Sequence, residues 1–313
     1  MHTEQQAIPI SVDADEVECQ VETWLTVPAQ RRSSTLFVLV SGSTYSHLYW
    51  DWPTDPRYSY VRWMAESGHA TLNFDRLGLG MSSHPPAKEV TVRAQAAVVH
   101  QLVSLARSGG LGGESFSRVV LVGHSLGSLI SGTSAAIYGD VDAVIETGTS
   151  GFAAAAQDGD ARVAEGWMWP ATSDPKFADS DRGDGYFTTP PGMRERIFFH
   201  MPGVEDAVVS DDERLKETMT SGEISELGSM AELLAEVRVP VLCTTGEYDR
   251  IVSALGGDLP VWRVFELAAD SAPGANFSFS VLPKMGHNLT QHRKAPAAYA
   301  TMTSWLREVG MVE

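Results

Sequence analysis

The sequence predicts an α/β fold built on a mostly parallel sheet with helices on both faces, and three observations carry that prediction. Short unbroken apolar runs, such as Leu36-Phe37-Val38-Leu39-Val40 and Val119-Val120-Leu121-Val122, have the pattern of strands buried on both faces. Segments whose apolar residues recur every three or four positions lie between them, as helices require. Strand and helix alternate in this rhythm, which produces a parallel sheet covered on two sides. At 313 residues, 43% hydrophobic and 20% charged, the chain can bury one large core without help from disulfides or metals.

Taken in order, Val17 to Val27 alternates polar and apolar positions and ends at Pro28, which reads as an edge strand. Leu36–Val40 is the first buried strand, with Gly42 directly after it. Tyr58–Ser67 has helical spacing and stops at Gly68, followed by the strand Ala70–Phe74. The helix Val90–Arg107 is ended by Ser108-Gly109-Gly110. Val119–Val122, Leu126–Tyr138 and Ala143–Ile145 continue as strand, helix and strand.

The rhythm breaks between about Ser150 and Val237. That stretch holds four alanines at 153–156, repeated Gly and Pro punctuation, a charged helical tract near Asp211–Val237 and no clear buried strand. Its aromatics argue for a packed insertion, so residues 150–237 are expected to form a helical lid on a core of 1–149 and 238–313. The α/β rhythm resumes with the strand Val239–Thr245, a helix near Pro260–Ala269, the strand Phe277–Leu282 and a final helix Ala295–Val309.

Charge narrows the partners. The net charge of −17 argues against nucleic acid and against anionic membrane surfaces, both of which recruit excess Lys and Arg. Cys19 and Cys243 sit in strand-like runs as ordinary buried thiols, too few for a disulfide framework or a cysteine-based zinc site. The first residues lack the basic and apolar regions of a signal peptide, and no apolar run has the length of a membrane span. The expectation is a cytoplasmic protein.

The chemistry concentrates in Gly123-His124-Ser125-Leu126-Gly127, set between a buried strand and a helix. In G-x-S-x-G the glycines let the backbone turn sharply, so that serine is presented at the strand tip. The helix N-terminus then offers N–H groups to a developing oxyanion. A base and an orienting acid should follow in the order acid, then histidine. Asp249 lies in the loop after one buried strand and His287, preceded by Gly286, in the loop after the next. Glu146, at the end of the strand after the nucleophile helix, is an alternative acid, though an ion-pairing or lid-anchoring role suits it better.

A second oxyanion N–H should come from the turn Ser41-Gly42-Ser43-Thr44, from Ser43 or from Thr44, to pair with that of Leu126. The Gly-rich stretch Asp75–Ser82 has neither P-loop nor dinucleotide spacing and reads as a structural loop bracing the nucleophile loop.

Together Ser41-Gly42-Ser43, Asp75–Ser82, the Gly123–Gly127 motif and the Asp249 and Gly286-His287 loops resemble the α/β-hydrolase family, over about Val17 to Val309. The resemblance implies an eight-stranded, mostly parallel sheet with an inserted cap, a Ser125–His287–Asp249 triad and no cofactor or metal. Two positions depart from the pattern: Ser41 stands where many members have His, and Ser128 where a small Gly or Ala is common. More loosely, Tyr49 to Pro53, Tyr58, Tyr60 and Asp75-Arg76-Leu77-Gly78 are similar to a microbial subgroup of hydrolases that suggests no particular substrate.

The expected reaction is cleavage of an ester or lactone through an acyl-enzyme on Ser125. Trp167, Met168, Trp169, Phe198, Phe199 and Met201, with Tyr45, Tyr49 and Trp50, would line a wide apolar pocket for a bulky hydrophobic small molecule, although such side chains serve equally as lid packing. An acyltransferase or carbon–carbon bond hydrolase would use the same triad. A hydrolase-like receptor or scaffold is the non-enzyme alternative, and the fold alone does not choose among them.

Overall fold

The computed structural model describes residues 1–12, 17–149, 166–227, 231–271 and 276–313. The four alanines at 153–156, and with them the start of the expected lid, lie outside the described residues.

The main sheet has eight strands in the order β1-β2-β4-β3-β5-β6-β10-β11. These are β1 (His2–Val12), β2 (Val17–Val27), β3 (Thr35–Val40), β4 (Ala70–Phe74), β5 (Arg118–His124), β6 (Ala143–Thr147), β10 (Val241–Gly246) and β11 (Phe277–Leu282). From β4 to β11 every pairing is parallel; β1 and β2 add an antiparallel edge.

The apolar runs work as their patterning predicts. Leu36, Val38 and Val40 of β3 enter one core, while Phe37 and Leu39 enter the other. Helices α2 (Val92–Ser108) and α3 (Leu126–Tyr138) cover the first face. Helix α1 (Tyr60–Glu66) and the last helix, Ala295–Glu308, cover the second, where Tyr60, Met64, Tyr299, Met302 and Trp305 pack together. No described helix is long and apolar enough to cross a membrane.

Two expectations need correction. β1 was not foreseen: only its last half carries apolar residues, Ile8, Ile10 and Val12, which alternate into the core while the first six positions stay exposed. Eleven residues pair with β2 from His2↔Val27 to Val12↔Val17, and backbone pairing rather than side-chain patterning defines the strand. The inserted segment, in turn, is not purely helical. It contains a separate antiparallel sheet of β7 (Trp169–Pro170), β8 (Tyr186–Thr188) and β9 (Met219–Thr220). The same segment carries short helices: Arg194–Phe198, Asp206–Leu215, Ser221–Glu226 and Ala231–Leu234.

This segment is fastened to the sheet domain by buried polar contacts. Thr44 donates its N–H to Thr218 O at 3.2 Å and accepts from Glu217 N–H at 2.8 Å. Arg76, in the loop after β4, forms a fully buried ion pair with Glu223. Glu223 also accepts from Gln95 Nε2 at 3.0 Å and, through its other oxygen, from Thr220 N–H at 3.0 Å. Removing one partner of a buried pair strands the other charge. Glu223→Ala is therefore expected to lower unfolding stability by about 3–5 kcal/mol in urea titration. A loss below about 1 kcal/mol, the range of exposed pairs, would mean that Arg76 finds water or another partner.

Candidate active site

β5 ends at His124 and α3 begins at Leu126, leaving Ser125 alone on the turn with φ 52° and ψ −118°. An L-residue held there stores roughly 1–3 kcal/mol of strain, which the surroundings must impose. They do so by close approach: a Cβ on Gly127 would collide with the carbonyl oxygens of Val40 and Ser41, so only glycine lets α3 seat against the end of β3. Ser125 N–H donates to Thr147 O at 2.7 Å. Ser128, the departure noted above, uses its hydroxyl to bind Thr147 at both O (3.0 Å) and N (3.1 Å), pinning the same turn to β6. Among the described residues, the Leu126 N–H donates to no protein acceptor.

The acid and the imidazole meet. Asp249 caps the short helix Arg250–Leu255, with Oδ1 accepting from the N–H groups of Ile251 (2.9 Å) and Val252 (3.0 Å). Its Oδ2 accepts from the Thr245 hydroxyl and from His287 Nδ1 at 2.8 Å. Burial alone would raise this carboxyl; His287 and the hydrogen bonds outweigh it and hold it below the usual range. With Nδ1 carrying the proton toward Asp249, Nε2 is the free basic nitrogen, and it is buried without a hydrogen-bond partner. In this geometry the Ser125 hydroxyl does not bond to it.

Glu146 makes no hydrogen bond to His287, which bonds Asp249 instead. The Glu146 carboxyl accepts from the Cys243 thiol at 3.4 Å and lies beside Gly132 of α3. Burial pushes it up to about 7, and among the described residues it makes no ion pair, so of the two roles expected for it ion pairing is not seen.

The two candidate oxyanion amides differ in their partners. Thr44 N–H is consumed by Thr218 O, whereas Ser43 N–H donates to no acceptor among the described residues. Ser41 contributes its hydroxyl to Tyr45 O at 2.7 Å. The Asp75–Ser82 loop braces this turn rather than the nucleophile loop. Arg76 donates to Ser41 O and Gly42 O, both at 3.0 Å, and Asp75 accepts from His47 N–H at 2.8 Å.

The aromatics expected to form a pocket separate into three groups. Phe198 lies over His287 with ring centroids 5.7 Å apart, Tyr49 stacks on His124 at 4.1 Å, and Tyr45 meets both Phe198 and His124 edge-on. Trp50 is wholly buried against Tyr49 and Tyr60 and belongs to the core, a correction with a simple cause: the α1 face needed a large apolar filler. Trp169 lies in β7, while Trp167 lines a cavity of about 620 Å³ on the Asp249 side with Phe199, Met201, Tyr248 and Val261.

The sequence reading missed a polar chain that runs from the elbow into the insertion. His124 Nε2 faces Asn288 Oδ1 at 3.3 Å, Asn288 Nδ2 donates to Tyr45 Oη at 2.5 Å, and Tyr45 Oη donates to Asp212 at 2.8 Å. Asp212 is paired with buried Arg194, which also donates to Thr44 Oγ1 at 2.8 Å. Asn288 was within reach as the neighbour of His287. Arg194 and Asp212 sat in a charged stretch indistinguishable from a solvated helix face. Among the described residues, no cluster of three His, Cys, Asp or Glu side chains is placed to hold a metal ion.

The fold and this arrangement place the chain among doubly wound α/β proteins that carry a serine on a strand-to-helix turn. The chain belongs to the alpha/beta hydrolase family, whose profile matches residues 37–301. It is similar to a thermophilic esterase from Thermogutta terrifontis with malate bound, at 17% identity and a TM-score of 0.63 over 97% of this chain and 99% of that one. An esterase from Exiguobacterium antarcticum matches at 16% identity and 0.67, covering 96% and 100%. A carboxyl esterase from Bacillus coagulans in complex with glycerol matches at 16% and 0.65, covering 99% of each. At these identities the likeness is one of fold. No curated relative matches the sequence.

Burial, and then the charge of His287, push the His124 imidazole well below its ordinary value near 6.5. The unfolded chain therefore binds a proton that the folded chain refuses, and stability falls as pH drops below about 6.5. Urea midpoints at pH 7 and 5 should show that fall in the wild type and a smaller one in His124→Asn; equal falls would assign the effect to other groups.

Proposed function

We propose that the protein is a serine hydrolase that cleaves carboxylic esters, lactones included, through an acyl-enzyme on Ser125. The observation that carries this reading is the state of His287, with Nδ1 bound to Asp249 and Nε2 buried and unpartnered, in a chain whose serine is strained onto the neighbouring turn. A buried imidazole nitrogen left without a partner calls for an explanation, and acceptance of the Ser125 proton supplies one.

In the proposed cycle Ser125 Oγ attacks the substrate carbonyl carbon while its proton passes to His287 Nε2. Asp249 fixes the tautomer and stabilises the imidazolium. The N–H groups of Leu126 and Ser43 receive the oxyanion; each such donor is worth about 3 kcal/mol in the transition state. The tetrahedral species collapses, the leaving alkoxide takes the proton from His287, and the acyl group remains on Ser125. Water then repeats the sequence, releasing the acid and restoring the serine. Phe198 over His287 and Tyr45 beside it give the reacting carbonyl apolar neighbours, which favours a hydrophobic substrate over a short polar one.

Fluorophosphonate treatment followed by mass mapping should place one adduct on Ser125, absent in Ser125→Ala. A folded wild type that neither labels nor turns over esters would move the assignment to a receptor or scaffold. With an active ester in hand, added alcohol tests for acyl transfer, and a β-diketone panel tests for carbon–carbon cleavage. Asp249→Asn should cut kcat by about 10⁴-fold because the imidazole loses its tautomer control; Glu146→Gln should leave kcat within a few-fold. The reverse ranking would reinstate Glu146 as the acid.

A further inference from the structure

The loop that carries His287 is gripped by a second imidazole. We propose that His292 is a positioning residue for His287, holding the backbone on either side of it and registering it against the inserted segment. This inference rests on the reading of Ser125, His287 and Asp249 as a catalytic triad.

His292 is wholly buried. Its Nδ1 lies 2.7 Å from the carbonyl oxygen of Asn288, an obligate acceptor, so Nδ1 carries the proton. Its Nε2 accepts from Gly286 N–H at 2.9 Å and from His200 N–H at 3.1 Å. Gly286 and Asn288 are the two chain neighbours of His287. One ring therefore holds the 285–286 peptide before the candidate base and the 288–289 peptide after it, and its third bond crosses to segment 198–200.

The surrounding contacts have the same direction. Asn288 N–H donates to Phe198 O at 3.1 Å, and Arg293 N–H donates to Gly203 O at 2.8 Å. A Cβ on Gly286 would lie 2.7 Å from His200 N and 2.8 Å from Phe198 O, so the histidine loop and segment 198–200 touch backbone to backbone. Phe198, the ring over His287, is set by this registration.

Volume does not explain the residue. A leucine or phenylalanine would fill the space but leave two N–H groups and a carbonyl without this partner. Only a neutral imidazole offers a donor and an acceptor on opposite edges of a small planar ring. Misplacing a reacting group by about 1 Å typically costs about 10²-fold in rate, the scale expected when the grip is lost.

The test compares wild type with His292→Phe, which keeps a ring of similar size and deletes all three hydrogen bonds. Three readouts are taken: kcat and KM for p-nitrophenyl butyrate, the thermal melt, and the low-field proton resonance of the His287 Nδ1–H bond to Asp249. The expected result is a folded variant with kcat lower by about 10²-fold, KM within about threefold, and the low-field resonance shifted or lost. A folded variant with kcat within twofold and an unchanged resonance overturns the proposal, as does a kcat loss fully matched by a loss of folded protein. If His292→Phe does not fold, His292→Asn keeps a donor near the Asn288 carbonyl and removes the Nε2 acceptor of the Gly286 and His200 N–H groups. A several-fold fall in kcat at constant KM then supports the proposal, and no change overturns it. A wild type that forms no Ser125 adduct defeats the triad reading itself, whereas a labelled wild type beside an unaffected variant defeats only the role of His292.

Discussion

The contact on which the site depends is between the first turn of α3 and the carbonyl end of β3. Gly127 lies so close to the Val40 and Ser41 carbonyl oxygens that no side chain fits between them. That approach forces the chain to reverse within one residue, and Ser125 absorbs the reversal at φ 52°. The same approach places the unpaired Leu126 N–H beside the turn that carries the Ser43 N–H. The strain at Ser125 and the nearness of these two N–H groups are consequences of one packing constraint, supplied by a glycine and two backbone carbonyls.

Around that contact the protein buries charge where a simpler design would bury hydrocarbon. Arg76–Glu223 and Arg194–Asp212 are both sealed from solvent, and each cation also donates to the oxyanion turn, Arg76 to the Ser41 and Gly42 carbonyls and Arg194 to Thr44. Such pairs contribute little net stability over apolar packing, but they penalise every arrangement in which one partner is withdrawn. Swinging segment 166–227 away as a rigid flap would withdraw Glu223 from Arg76 and Thr218 from Thr44. Any such opening would have to break these buried contacts, which also reach the Ser41–Thr44 turn.

What the sequence made legible follows from where the information is local. The elbow could be read because its glycines, its serine and the strand and helix on either side occupy a dozen consecutive residues. Asp249 and His287 could be read because each follows a buried strand, a position that topology delivers to one edge of the sheet. β1 escaped because its pairing is made by backbone against β2 and its apolar residues fill only one end. Arg194, Asp212 and Glu223 escaped because charged residues in a Gly- and Pro-rich stretch look the same whether they face water or each other; only tertiary packing seals them. Trp50 was misassigned for the converse reason, since an aromatic near a catalytic loop looks the same whether it faces substrate or core.

Three imidazoles are buried within this region, and hydrogen-bond accounting separates the proposed base from the other two. His124 has Thr147 Oγ1 at 3.1 Å on one nitrogen and Asn288 on the other, and burial holds it neutral. His292 spends both nitrogens on backbone groups, and burial lowers it to about 4. Only His287 keeps one nitrogen unspent, and only His287 has a carboxylate at 2.8 Å to stabilise the charge that proton transfer would create. In the proposed mechanism a proton leaving Ser125 would have one acceptor with both a free lone pair and a counter-ion, and the neighbouring imidazoles, saturated and desolvated, would not divert it.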